Sequence, residues 1–241
     1  MRQRRWRRGC LVSAVSLVVA RRECPLTRLT HSPALWVSAV VLMVAASPRS
    51  SVRASIVGSA HDLSARGWSG GRICRVCHTP HGARTTVPHA PLWNHDTTQS
   101  AFVPYSSDTM DATPGQPTGV SKLCLSCHDG TVAIDSFGGQ TGSDYMVGTA
   151  RLGTDLTNDH PIAFTYDSAL AAADGGLVDP AHDGDTNPDT VGQRSPYLPL
   201  FGGTMQCATC HDVHHTASVG HPALLIVDTE GSALCLTCHL K

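Results

Sequence analysis

The sequence predicts a chain of mostly irregular backbone, with a few short helices and minimal strand, folded round buried material that is not its own side chains. Three observations predict it. Gly and Pro punctuate the chain throughout, 22 and 15 of them in 241 residues, and Thr, Ser and Asp fill the gaps. Apolar residues sustain neither the helical nor the strand period for long. One five-residue phrase occurs four times: Cys74-Arg75-Val76-Cys77-His78, Cys124-Leu125-Ser126-Cys127-His128, Cys207-Ala208-Thr209-Cys210-His211 and Cys235-Leu236-Thr237-Cys238-His239.

Each copy reads C-x-x-C-H, the attachment signature of c-type haem. Two thiols three positions apart lie on one side of a helical turn, where they add across the two vinyl groups of one porphyrin. The next residue brings its imidazole under the iron as proximal ligand. With 10 Cys and 14 His in 241 residues, chance alone would give about 0.02 such matches. Structural zinc would use clustered sets of four ligands and would not require His after every pair. The expectation is four covalent c-type haems containing iron, attached at Cys74, Cys77, Cys124, Cys127, Cys207, Cys210, Cys235 and Cys238. The fold class is that of a multihaem cytochrome c, haem-cored and mostly loop. The thioether bonds would staple distant segments, as disulfides do in small secreted domains.

From the N-terminus, residues 1–54 form a leader region with ten Arg and one acid, Glu23. The apolar run Pro33–Ala46 is as long as a signal-peptide core and short for a bilayer span, and Arg28 supplies a positive flank. Val52-Arg53-Ala54 sets a cleavage site after Ala54, with a cut after Ala46 as the weaker option. An earlier apolar run, Cys10–Ala20, would give the leader two cores. Residues 1–25 therefore read as lying upstream of the true start, near Leu26 or Leu29; the alternative is a long or two-part leader. Cys10 and Cys24 fall outside the mature chain, which leaves all eight remaining Cys to haem and none to disulfides. Residues 55–241 form the tetrahaem domain. They carry 8 Lys and Arg against 18 Asp and Glu, a balance that repels nucleic acid.

Helices are expected at the motifs, around Ser121–His128 and Ser232–His239, with Ser121 and Ser232 as N-caps. Asp167–Ala173 reads as helical and Asp174-Gly175-Gly176 as its stop. Short strands are expected at Thr131–Ile134 and Leu224–Val227. The first and third motifs carry a second His three residues on, at His81 and His214, and the second and fourth do not. The order describes a duplicated two-haem unit with a long insertion.

An iron with two His ligands is closed, low-spin and suited to electron transfer. Nine His lie outside the motifs in the mature chain, against three Met (Met110, Met146, Met205), so all-His ligation is favoured. The expected distal ligands are His61, His81, His160 and His214, opposite the proximal His78, His128, His211 and His239. His81 and His214 cannot reach the far face of the haem beside them and would serve a neighbour. Asp159 or a backbone carbonyl would hold the second ring nitrogen of His160. His95 and His215 are the runners-up; His89, His182 and His221 read as solvated. The oxygen-bearing run Asp183, Asp185, Asn187, Asp189 resembles the start of a calcium loop, but Pro188 stands where the turn Gly belongs, and a polar acidic loop is the default.

The segments SAHDLS (59–64), CHTPHGA (77–83), APLWNH (90–95), LCLSCHDGTVAID (123–135), LGTDLTNDHPIAF (152–164), MQCATCHDVH (205–214) and GSALCLTCH (231–239) resemble the doubled-CxxCH multihaem cytochromes. The likeness is greatest to the extracellular tetrahaem cytochromes that polymerise into conductive filaments in metal-reducing bacteria. The resemblance implies little regular structure, all-His ligation, a continuous haem stack, and one distal His supplied by a neighbouring subunit, a role His61 would fill. It also points to a homopolymer. The electron-transfer reading adds other cytochromes as donors and an extracellular acceptor such as a metal oxide, and the short leader with its cleavage site argues against a stable membrane anchor.

The leading expectation is a secreted electron carrier without substrate turnover. A membrane-anchored quinol oxidase would keep its apolar leader. A reductase of a small molecule such as nitrite would need an iron with a vacant position. A monomeric periplasmic shuttle would share the chemistry and lack only the association of subunits.

Overall fold

The computed structural model describes residues 56–181, 187, 189–192, 197–214 and 222–240. The leader therefore lies outside the described residues, as do His182, His215, His221 and most of the acidic run from Asp183. Regular structure is sparse. The described residues hold four short α-helices, α1 (Gly119–His128), α2 (Ser168–Asp174), α3 (Cys207–Cys210) and α4 (Ala233–Cys238). Four two-residue strands are β1 (Phe164–Thr165), β2 (Thr190–Val191), β3 (Leu198–Pro199) and β4 (Thr204–Met205). β1 pairs antiparallel with β4, Phe164 opposite Met205, and β2 with β3, Val191 opposite Leu198. No described helix is long and apolar enough to cross a membrane.

Three of the four helices end in an attachment motif. The α2 helix follows the expected logic: the Asp167 carboxylate accepts the Leu170 N–H at 2.9 Å, and Gly175 closes it at φ 69°, a left-handed conformation that favours Gly. The other caps differ from expectation. Thr118, not Ser121, starts α1, and Ser121 is fully buried within it. Ser232 precedes α4 at φ 64° without a side-chain cap.

The expected strands at Thr131–Ile134 and Leu224–Val227 do not form. The Asp129 carboxylate captures the Thr131 N–H at 2.7 Å and turns the chain there. Pro222–Leu224 is a 3-10 turn, and only Leu225 bridges, to His211. Of the 18 acids in residues 55–241, all but Glu230 are Asp. Their short carboxylates cap turns: Asp62, Asp129, Asp135, Asp155, Asp174 and Asp228 each accept a nearby backbone N–H. This local capture stands in for missing secondary structure.

The chain also has a side-chain core that its periodicity did not announce. Phe164, Tyr166, Val178, Val191, Leu198, Leu200, Met205, Ile226 and Cys238 pack together around the two small sheets. Strands of two residues are too short to show a period of two. A second cluster, Phe102, Leu125 and Leu156, lies under α1.

Candidate haem-binding sites

In all four motifs the backbone makes one helical turn between the first Cys and the His. His78 N–H donates to Cys74 O at 2.8 Å, His211 N–H to Cys207 O at 3.0 Å, and His239 N–H to Cys235 O at 2.9 Å; Cys124 to His128 is the last turn of α1. After His211 and His239 the chain turns to extended backbone, φ −109° and −102°.

Three of the motif imidazoles are then held the same way. His78 Nδ1 lies 2.7 Å from Pro91 O, His128 Nδ1 2.7 Å from Ala150 O, and His211 Nδ1 2.8 Å from Ala223 O. A carbonyl can only accept, so each Nδ1 carries the proton and each Nε2 presents its lone pair. That is the tautomer and the orienting contact a metal-bound histidine needs.

Two of these rings face another imidazole. His78 and His214 stand 6.0 Å apart, centre to centre, with planes 19° apart. His61 and His128 also stand 6.0 Å apart, tilted by 45°. A metal ion held about 2.0–2.1 Å from a nitrogen on each side puts the two ring centres roughly 6 Å apart once the depth of each ring is added. Plain aromatic contact spans the same range, but the Nδ1 tethers on His78 and His128 leave their Nε2 atoms free. His61 is half-buried with no partner on its buried Nδ1. Burial first, then the rings of His128, His211 and His214, push its pKa below the ordinary value. The imidazole is thus neutral at pH 7, as a ligand must be.

His160 belongs to a third constellation. It lines a cleft of ≈ 210 Å³, partly open to solvent, with Cys207, Cys210 and His211 of the third motif and the apolar Leu152, Leu156 and Ile162. Its Nδ1 lies 3.0 Å from Pro161 O, so a backbone carbonyl rather than Asp159 holds the second nitrogen. The motif thiols, the presented nitrogens, the unpartnered atom of His61 and this cleft together fit a covalently attached porphyrin.

Other histidines fall differently. His81 sits on an exposed turn where Thr79 Oγ1 donates to its carbonyl at 2.9 Å. His95 is 1 % exposed, with Nδ1 2.7 Å from Asp96 O and Nε2 2.9 Å from Ala133 O. Both its nitrogens face carbonyls, and a neutral ring donates to one of them; the ring lies between residues 94–96 and the loop beside the second motif. His89 meets the edge of Phe201. Met205 is buried in the core, and Met110 packs against it.

The motifs are neighbours in sequence order. The Cys77 thiol is near enough to perturb Cys127, Cys124 and Cys207 perturb each other, and Cys210 feels Cys235 and in turn perturbs Cys238. Burial, the main cause, pushes Cys77 and Cys210 up to about 11 and Cys127 and Cys238 up to about 12. Thiols that ionise so high are poor nucleophiles at neutral pH.

Comparison with known proteins agrees with this geometry. Residues 199–241 match the family described as Doubled CXXCH motif. That stretch holds the third and fourth motifs; the first and second stand upstream in the same form. Paired CXXCH motifs imply a multihaem c-type cytochrome for electron transfer, and the Cys pairs 74/77, 124/127, 207/210 and 235/238 give up to four attachment sites. Cytochromes of this type are typically extracytoplasmic. No curated protein matches the chain.

Proposed function

We propose that this chain is a secreted tetrahaem electron carrier without substrate turnover, whose irons are each closed by two imidazoles. Two facing pairs, each at 6.0 Å, carry the reading. In it His78 works with His214, His128 with His61, and His211 with His160. His239 remains for His81, whose exposed turn suits a ligand offered to a second copy. The reading gives the shared-ligand role to His81 rather than His61, because His61 faces His128 of its own chain. Haem iron supplies a one-electron couple when bound. The polypeptide fixes ligation, spacing and polarity around it.

The neighbour order of the motifs favours a continuous path from end to end, and polymerisation into a conductive filament would extend that path toward an extracellular acceptor such as a metal oxide. Other cytochromes would supply the electrons. The test has two arms. Purified holoprotein should contain four haems, show only low-spin ferric signals and take up little carbon monoxide; a high-spin signal in the intact protein rejects the closed-iron reading. Electron microscopy of the extracellular fraction should show filaments; single particles alone would leave the monomeric shuttle.

A further inference from the structure

Helices α1 and α3 carry the second and third motifs, and they pack on each other through buried polar side chains. Ser121 N–H donates to Gln206 Oε1 at 3.0 Å. Cys207 N–H donates back to Ser121 Oγ at 3.0 Å. Gln206 N–H donates to Thr209 Oγ1 at 3.0 Å, and the Gln206 side chain caps the first turn of α3 in return. Ser121 and Thr209 are fully buried and Gln206 is 3 % exposed. Buried polar groups hold a geometry firmly because an unmade hydrogen bond there is costly.

The position of this lock matters. Ser121 lies one turn before Cys124, on the same helix face, and Gln206 immediately precedes Cys207. The lock brings the Cys124 and Cys207 thiols, the first attachment atoms of two different motifs, near enough to perturb each other.

We propose that Ser121 and Gln206 are positioning residues that fix the spacing of the second and third attachment motifs and so set the electronic coupling between the haems they carry. This rests on the multihaem carrier reading. Neither residue ligates iron or bonds a porphyrin, so loosening the lock changes the relation between two haems before it changes either one.

The test is visible circular dichroism of the holoprotein, in which adjacent haems give a bisignate Soret couplet. Ser121→Ala and Gln206→Asn should keep four haems and low-spin spectra but lose part of the couplet. Ser121→Thr, which keeps the hydroxyl, should retain it. Asp129→Ala is the matched control: Asp129 is equally buried beside the second motif but outside the lock, and its loss should leave the couplet intact. An undiminished couplet in both Ser121→Ala and Gln206→Asn overturns the proposal, as does an equal loss in Asp129→Ala. Should Ser121→Ala fail to accumulate, Gln206→Asn decides, because it withdraws the acceptor without emptying the site. If the parent protein lacks four low-spin haems, it is the carrier reading that fails.

Discussion

The imidazoles of His78 and His214 lie nearly parallel, 6.0 Å apart, one in the first motif and the other three residues beyond the third. Replacing His214 by Ala should open a single iron. The expected variant keeps four haems but shows one high-spin ferric centre and binds about one carbon monoxide per chain, against little for the parent. His214→Met should instead raise one midpoint in a redox titration, because thioether ligation favours the ferrous form.

His61→Ala should open a different iron, the one held at His128, and the double variant with His214→Ala should show two open centres.

Tyr166 joins the side-chain core to the fourth motif. Its hydroxyl donates to Val178 O at 2.9 Å and to Cys238 O at 3.4 Å. Burial first, then Cys238, hold its pKa well above 10. The phenol of the unfolded chain ionises near 10 while the folded one does not, so stability is lost as pH rises through 10. Tyr166→Phe should cost about 1–2 kcal/mol at pH 7 and flatten this alkaline limb, as read by denaturant unfolding.

Gly142 admits no side chain. A methyl built on it would overlap the Asp135 carboxylate, which accepts the N–H groups of Ser143 and Asp144 at 2.9 Å each. Gly142→Ala should cost about 1–3 kcal/mol through overpacking, a fall of a few degrees in the thermal midpoint, with haem content unchanged.

The attachment sites were legible because covalent chemistry fixes their spacing in five residues. The Asp167–Gly175 helix was legible because both of its ends carry their own signals. The core was not: Phe164 meets Met205 and Val191 meets Leu198 across chain separations that no local period records. Ser121 reads as a cap from its place ahead of an apolar turn, yet its partners, Gln206 and Cys207, stand far along the chain. Acidity reads as solubility, while many of the Asp carboxylates are spent on turns. The facing of His214 on His78 follows from neither motif alone, because it depends on how the two halves meet.

That meeting has a consequence for a damaged chain. In the proposed ligation the earliest attachment site takes its second imidazole from one of the latest segments, since His78 faces His214. A truncated or clipped chain that lacked His214 would then leave that iron open to peroxide or diatomic gases. Damage near the C-terminus would then surface as reactivity at the opposite end of the polypeptide.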